Sequence, residues 1–225
     1  SQRCDWMISG LIDNDSTAEL LSLTAEASDD EAFTSEHLNV TAHFRYADTK
    51  LDVKHTIWAY PDAPGLRTAL SVKALEGFDA EAYKEKAIAD RADFLPVSTV
   101  GKSIEAIGYF SGTQGRNRRG TLIIKEAELP EAGRCGWASV LAVKDGTETI
   151  FNVKESHKCP NTPHGGANTG SFSYGANGIG NTGLGLVPAE FVTDRFRNCW
   201  AAWTILAQGS EAEQQLTFKQ FDRIR

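Results

Sequence analysis

The chain has 225 residues, of which 41% are hydrophobic and 24% are charged, and it carries a formal net charge of −7. This is the composition of an ordinary globular protein that is long enough to bury a sizeable core. The acidic balance argues against a nucleic-acid-binding protein, and no apolar run approaches the roughly 20 residues that a membrane helix needs. Neither nucleic acid nor a membrane is therefore an expected partner.

The first half of the chain is dominated by alternation of apolar and polar residues, which is typical of half-buried strands. Residues 39–47, 51–60 and 66–75 predict three successive strands, and "PDAPG" at 61–65 supplies the turn chemistry between the last two. In the second strand the two sides are Leu51, Val53, His55, Ile57 and Ala59 against Asp52, Lys54, Thr56, Trp58 and Tyr60.

Residues 79–94 are rich in helix formers behind a plausible N-cap at Asp79, and they predict a surface helix. Strands are expected again at 121–129, 137–144, 149–156 and 199–208, with "KDGT" at 144–147 as a hairpin turn. Residues 210–225 predict a second helix, because Ser210 precedes Glu213 by three positions and forms a capping box.

Many strands, few helices and no alternation of strands with helices predict an all-β fold. We expect a large antiparallel β-sandwich with one or two peripheral helices. The expected domain division is a sandwich over 1–209, followed by 210–225 as the start of a linker helix.

The glycine-rich stretch from Cys159 to Pro188 contains the pattern G-x-G-x-x-G at Gly178, Gly180 and Gly183. A dinucleotide site needs a helix that starts within this pattern, because the pyrophosphate binds at its N-terminus. The following "LGLVPAEF" has no helical run, so we predict a long loop and no nucleotide cofactor.

His157, Cys159 and His164 place two imidazoles and a thiol within eight residues, but their spacing matches no closed zinc pattern. No metal site is therefore expected. The four cysteines are far apart, and buried free thiols are favoured over two disulfides.

Several segments together resemble the bacterial glycoside hydrolases related to family 36 and its clan of α-galactosidases. They are "YPDAPGLRTALSVKA" (60–74), "RADFLP" (91–96), "IGYFSGTQGRN" (107–117), "ESHKC…NTGSFSY…TGLGLVP" (155–188) and "CWAAWTIL…FKQFDRIR" (199–225). The resemblance implies a β-supersandwich similar to galactose-mutarotase-like domains. In that family the sandwich precedes a (β/α)₈ barrel that carries both catalytic aspartates.

No eightfold strand–helix pattern is present here, so the resemblance implies a non-catalytic N-terminal domain without catalytic residues of its own. It implies two partners, a carbohydrate and the chain's own catalytic barrel. Candidate substrate-binding residues are Glu155, His157 and Lys158 in the "ESHKC" loop, with Trp58 or Trp137 as the platform on which a sugar stacks.

Two other functions stay open: a stand-alone carbohydrate-binding module, and a mutarotase-like enzyme that uses His43, His55 and Glu155. The missing barrel predicts an exposed apolar patch at Phe218 and Phe221, where a dimer contact and hence a homo-oligomer is expected. The compartment stays open, with a periplasmic or extracellular location slightly favoured over the cytoplasm.

Overall fold

The computed structural model describes residues 6–8, 11–12, 16–28, 36–61, 63–83, 90–112, 121–155 and 172–224. The strands are β1 (Trp6–Ile8), β2 (Glu19–Ser28), β3 (His37–Tyr46), β4 (Leu51–Ala59), β5 (Gly65–Ala74), β6 (Asp90–Leu95), β7 (Ser103–Gly112), β8 (Thr121–Leu129), β9 (Gly133–Cys135), β10 (Val140–Asp145), β11 (Glu148–Lys154), β12 (Phe172–Gly175), β13 (Gly178–Thr182), β14 (Arg197–Asn198) and β15 (Ala202–Gln208). The α-helix of the described part is α1 (Glu211–Ile224), and two 3₁₀ turns lie at Glu81–Tyr83 and Pro188–Glu190.

The strands form two antiparallel sheets. The large sheet has ten strands in the order β2-β3-β4-β5-β15-β11-β10-β7-β8, with β14 paired to β5. The small sheet has five strands in the order β1-β6-β13-β12-β9. The all-β sandwich expected from the alternation is therefore confirmed.

The core lies on both faces of the large sheet. On one face, Leu51, Val53 and Val72 pack against the segment that contains Leu184 and Leu186. Further along the same face, buried residues of β7 and β10 meet Phe172, Tyr174 and Ile179 of the small sheet. On the opposite face, Val153, Trp203 and Ile205 are covered by Phe218 and Phe221 of α1.

Most predicted strands are found where the alternation placed them. The register of β4 with β5 puts Leu51 and Val53 opposite Ala74 and Val72, which assigns the two sides of β4 as expected. The hairpin turn after Asp145 is also confirmed, and Gly146 takes a φ of 59° there, a value that favours glycine.

The predicted helix over 79–94 is wrong. The Asp79 carboxylate does accept the Ala82 N–H at 3.3 Å, but only a single 3₁₀ turn follows within the described residues. Residues 90–95 form β6, which pairs with β1 and β13. Hydrogen bonds from remote strands override the local helix propensity at residues 90–95.

The glycine-rich stretch is not a continuous loop. Its residues 172–182 form the β12–β13 hairpin, in which Phe172 and Tyr174 are buried on the side that faces the large sheet. Only the 3₁₀ turn at Pro188–Glu190 follows the G-x-G-x-x-G pattern, so the helix of a dinucleotide site is missing from this segment.

The capping box of α1 is confirmed: the Ser210 N–H and hydroxyl each donate to Glu213 Oε2 at 2.7 Å. The exposed patch expected on this helix is wrong. Phe218 is 8% and Phe221 is 1% exposed, because they pack on Phe151 and Trp203 of the large sheet. Within the described residues, no helix has the length and apolar character needed to cross a membrane.

Candidate functional site

The face of β3, β4 and β5 that turns away from the small sheet is polar, and we call it the polar face. Its side chains alternate with the core residues of the same strands, so the register of the three strands fixes its membership. The members are Asn39, Thr41, His43, Arg45, Asp52, Lys54, Thr56, Trp58, Arg67, Ala69, Ser71 and Lys73.

One end of the polar face holds a row of three side chains, Trp58, Arg67 and Glu155. Trp58 and Arg67 are paired across β4 and β5, and the guanidinium lies 4.7 Å from the centre of the indole. Arg67 Nε donates to Glu155 Oε2 at 2.7 Å, and Arg67 Nη2 donates to Oε1 at 3.2 Å. This two-bond geometry fixes the position of the guanidinium next to the Trp58 ring.

The position of Glu155 follows from the end of β11. Its backbone N–H donates to the Ala201 carbonyl at 3.1 Å, which directs residue 155 toward β5 just beyond the last strand pair. Burial lowers the pKa of Arg67, but the hydrogen bonds and charge of Glu155, with a smaller contribution from Tyr60, raise it above its ordinary value. The Arg67 guanidinium therefore stays charged throughout the physiological range.

The Trp58–Arg67–Glu155 row is half-exposed. The Arg67 and Glu155 side chains are 23% and 26% exposed, and Trp58 has intermediate burial. Next to the row, Thr41 Oγ1 lies 3.1 Å from Thr56 Oγ1 and donates to Asn39 Oδ1 at 3.1 Å. Aromatic, charged and hydroxyl groups thus meet solvent together on one strand face.

This arrangement suits binding rather than proton transfer. A half-exposed indole offers an apolar surface to the C–H side of a sugar ring, and the neighbouring groups can exchange hydrogen bonds with its hydroxyls. Both oxygens of Glu155 already accept hydrogen bonds from a permanent cation. Glu155 therefore acts more naturally as a fixed acceptor than as an acid or base.

The five candidate residues from the sequence fall into three groups. Trp58 and Glu155 come together through Arg67, which the sequence analysis did not single out. Trp137 lies after β9 beneath Lys125, whose Nζ is 4.2 Å from the ring centre, and six strand spacings of the large sheet separate β4 from β8. His157 and Lys158 lie outside the described residues.

The two histidines of the mutarotase alternative lie on opposite faces of the large sheet. His43 is paired with Lys54 on the polar face, whereas His55 is paired with Ala42 and Leu70 on the core side. Burial lowers the pKa of His55 to about 4. The strand register therefore gives these two imidazoles no common site.

A second concave surface lies on the other side of α1. This groove of 770 Å³ is bounded by β7, β8 and α1, and its floor includes Tyr109, Phe151 and Phe218. Polar groups at the groove are partly paired with one another, since Lys144 binds Glu105 at 2.7 Å and Thr149 donates to Gln214. Of the candidate residues that the structure describes, none of Trp58, Trp137 and Glu155 lines it.

The described part of the chain contains no group of histidine, cysteine and carboxylate side chains that could hold a metal ion. Cys135 and Cys199 are buried free thiols, and the Cys199 sulfur accepts the Leu70 N–H at 3.0 Å. Cys4, Cys159 and His164 lie outside the described residues.

No protein-family model matches the chain, and no curated protein is similar to it. Solved structures are similar to it at low sequence identity. The family 36 α-galactosidase AgaA of Geobacillus stearothermophilus matches with a TM-score of 0.54 at 9% identity, over 99% of this chain and 32% of that one. AgaB of the same organism gives a TM-score of 0.53 at 9% identity, over 100% and 32% of the two chains.

The galactosidase domain of the α-galactosidase–sucrose kinase AgaSK matches with a TM-score of 0.50 at 11% identity, over 86% of this chain and 28% of that one. Variants of AgaA bound to raffinose and to stachyose have TM-scores of 0.54 and 0.55. The chain spans about a third of the length of these enzymes. At the level of the fold the resemblance is confirmed: the chain has the fold of one third of a family 36 α-galactosidase.

Proposed function

We propose that this chain is the non-catalytic N-terminal β-sandwich domain of an α-galactosidase-like glycoside hydrolase, and that its polar face borders the sugar site. The observation that carries the proposal is the structural match, which extends over 99% of this chain but 32% of AgaA. The remaining two thirds of such an enzyme would hold the catalytic barrel. The Trp58–Arg67–Glu155 row supplies the sugar contact.

The physical case for a sugar contact rests on the row itself. A pyranose ring has an apolar C–H face and a rim of hydroxyls, and it binds where a rigid aromatic surface is flanked by fixed polar groups. Arg67 holds Glu155 and Trp58 in one orientation before any ligand arrives. Less side-chain freedom is then lost on binding.

An apolar strip on the face of the large sheet opposite the polar face supports the presence of a neighbouring domain. Leu20, Leu23, Leu38 and Leu66 are exposed to between 43% and 65%, and strand register places them on the core side of β2, β3 and β5. Adjacent exposed leucines mark surfaces that a partner covers. The occupant we propose is the catalytic barrel of the same protein.

The alternative that the structure also favours is a stand-alone carbohydrate-binding module, because the same row would serve it. The mutarotase alternative has less support, since His43 and His55 lie on opposite faces of the sheet.

The test is calorimetric titration of the chain with raffinose, a ligand of AgaA. We expect binding that Trp58→Ala weakens roughly tenfold or more, while Trp58→Phe retains much of it. Trp137→Ala is the matched control, because it removes an indole that lies on another part of the sheet, and it should leave the affinity unchanged. The fold of each variant is checked by circular dichroism.

Three results would overturn the proposal. They are no raffinose binding at millimolar concentration, equal losses in Trp58→Ala and Trp137→Ala, and hydrolysis of an aryl α-galactoside by the chain alone. A binding experiment distinguishes the proposed domain of a larger enzyme from the stand-alone module. The chain is mixed with a protein segment that contains the catalytic barrel. Association that Leu23→Ser weakens supports the domain, and no association supports the module.

A further inference from the structure

The end of the polar face remote from Trp58 holds a cluster of cationic side chains around Phe196. Lys54 Nζ lies 4.5 Å and Lys73 Nζ lies 5.1 Å from the centre of the Phe196 ring. The His43 imidazole meets the same ring edge-on at 5.7 Å. Because His43, Lys54 and Lys73 come from the three adjacent strands β3, β4 and β5, the sheet itself brings them together.

A single buried carboxylate lies beneath this cluster. Asp52 is 1% exposed, and its oxygens accept from Arg45 Nε at 2.8 Å and Arg45 Nη2 at 2.9 Å. Lys73 Nζ and His43 Nε2 lie 3.8 and 3.5 Å from Asp52 Oδ2. Arg45 and Lys73 both pair with this carboxylate, so its single negative charge cannot balance Arg45, Lys73 and Lys54 together.

The positive charge of the cluster is therefore incompletely balanced. Among the described residues, no carboxylate forms an ion pair with Lys54. The charge of Glu19 acts on Arg45, its partner across β2 and β3. Although the whole chain has a net charge of −7, the side chains of Arg45, Lys54 and Lys73 come together here around the single buried carboxylate of Asp52. Converging like charges raise the local potential and favour a bound anion.

His43 senses both burial and the charges of the cluster. Burial lowers the pKa of His43, and the charges of Lys54 and Lys73 lower it further, against the opposing effect of Asp52. The imidazole is thus neutral at neutral pH, and its titration is a spectroscopic probe of any negative charge that enters the cluster.

We propose that the Phe196 cluster, formed by His43, Arg45, Lys54, Lys73 and Phe196, binds the anionic group of an acidic oligosaccharide, a carboxylate or a sulfate ester. Lys54 and Trp58 project from the same side of β4 about 13 Å apart, since four strand residues at roughly 3.3 Å each separate them. One oligosaccharide can therefore place a ring on Trp58 and an anionic group at Phe196. The inference rests on the proposed sugar contact at Trp58 and adds a ligand class to it.

The experiment compares oligogalacturonates, sulfated galacto-oligosaccharides and neutral galacto-oligosaccharides of equal length in calorimetric titrations of the chain. At least one acidic series should bind roughly tenfold more tightly than the neutral series. Which of the two does so identifies the anionic group. The gain should shrink as NaCl is raised, because salt screens the contact between half-exposed charges.

Lys54→Gln and Lys73→Gln should each reduce the affinity for the acidic series toward that for the neutral series. Lys125→Gln is the matched control: it removes the same charge from a lysine that also lies over an aromatic ring, at 4.2 Å from the centre of Trp137. This variant should leave both affinities unchanged. Binding should also raise the pKa of His43 measured by NMR, because a nearby anion favours the imidazolium.

Equal affinities for the acidic and neutral series, or equal losses in Lys54→Gln and Lys125→Gln, would overturn the inference. If neutral sugars still bind and Trp58→Ala weakens them, the proposed function survives that failure. A response of His43 to inorganic sulfate without any saccharide binding would instead overturn both, because the cluster would then hold an anion but no sugar.

Discussion

At the scale of single residues, the position of His55 explains why a histidine on a core-facing strand stays neutral. Its partners across the sheet are Ala42 and Leu70, and its side chain is 9% exposed. Burial disfavours the charged imidazole and lowers its pKa from 6.5 to about 4. The folded chain therefore binds this proton less readily than the unfolded chain does.

This difference predicts a pH dependence of stability. Below pH 6.5 the unfolded state takes up a proton that folded His55 refuses, so the free energy of unfolding falls as the pH falls toward 4. The loss should reach roughly 3 kcal/mol, at about 1.4 kcal/mol per pH unit. Urea unfolding at pH 7 and at pH 4 measures it.

His55→Leu should flatten the dependence between pH 6.5 and 4. Asp52 contributes to stability in a different pH range. Burial opposes its ionisation, but Arg45, His43 and Lys73 lower its pKa below 3.8. The stability that Asp52 adds is therefore lost only in stronger acid. The same loss of stability in His55→Leu and in the unmodified chain would show that another group is responsible.

The ion pair of Glu155 with Arg67 gives a second prediction at this scale. Glu155→Gln should destabilise the chain by about 1–3 kcal/mol, because a half-buried guanidinium loses its charged acceptor. Glu190→Gln is a matched control, since Glu190 binds Arg197 at the same 2.7 Å but with side chains 51% and 42% exposed. That control should cost at most about 1 kcal/mol. Equal costs for the two would mean that the Arg67 pair is no more than a surface ion pair.

At the scale of elements, α1 is held to the large sheet by two phenylalanines. Phe218 stacks on Phe151 with ring centres 4.6 Å apart, and Phe221 meets Trp203 edge-on at 5.0 Å. The helix thereby separates the polar face from the groove at β7 and β8. The capping box in the sequence predicted where α1 begins. The residues that cover its apolar face, Phe151 of β11 and Trp203 of β15, could not be predicted from the helix sequence alone.

Phe221→Ala should lower the free energy of unfolding by about 3–5 kcal/mol, because it opens a cavity beneath the helix. Leu216→Ala on the same helix is the control: Leu216 is 54% exposed and should change stability by no more than about 0.5 kcal/mol. Chemical denaturation measures both. A loss below about 1 kcal/mol for Phe221→Ala would show that the helix does not depend on this contact.

Strands such as β4 and β5 could be predicted because their own residues alternate between a buried and a polar face. By contrast, β6 and the β12–β13 hairpin obtain their hydrogen bonds from each other and from β1 and β9, which no local pattern shows. The same limit applies to the row of Trp58, Arg67 and Glu155. Trp58 and Glu155 were visible as residue types, but Arg67 joins them only once the register of β4 and β5 is known.

At the scale of the whole molecule, the small sheet and α1 cover parts of the large sheet and leave the β3–β5 half of one face polar. That face has a half-exposed indole at one end and a cationic cluster at the other. The chain shares its fold with one third of a family 36 α-galactosidase, and the function proposed above assigns this polar face to sugar binding.

The most direct test of this account is an NMR titration of the chain with raffinose that follows the indole N–H signals of its five tryptophans. The account predicts that the Trp58 signal shifts progressively with saturation, while the signals of Trp137 and of the buried Trp203 stay in place. A shift confined to Trp137, or no shift of any indole at millimolar raffinose, would contradict it.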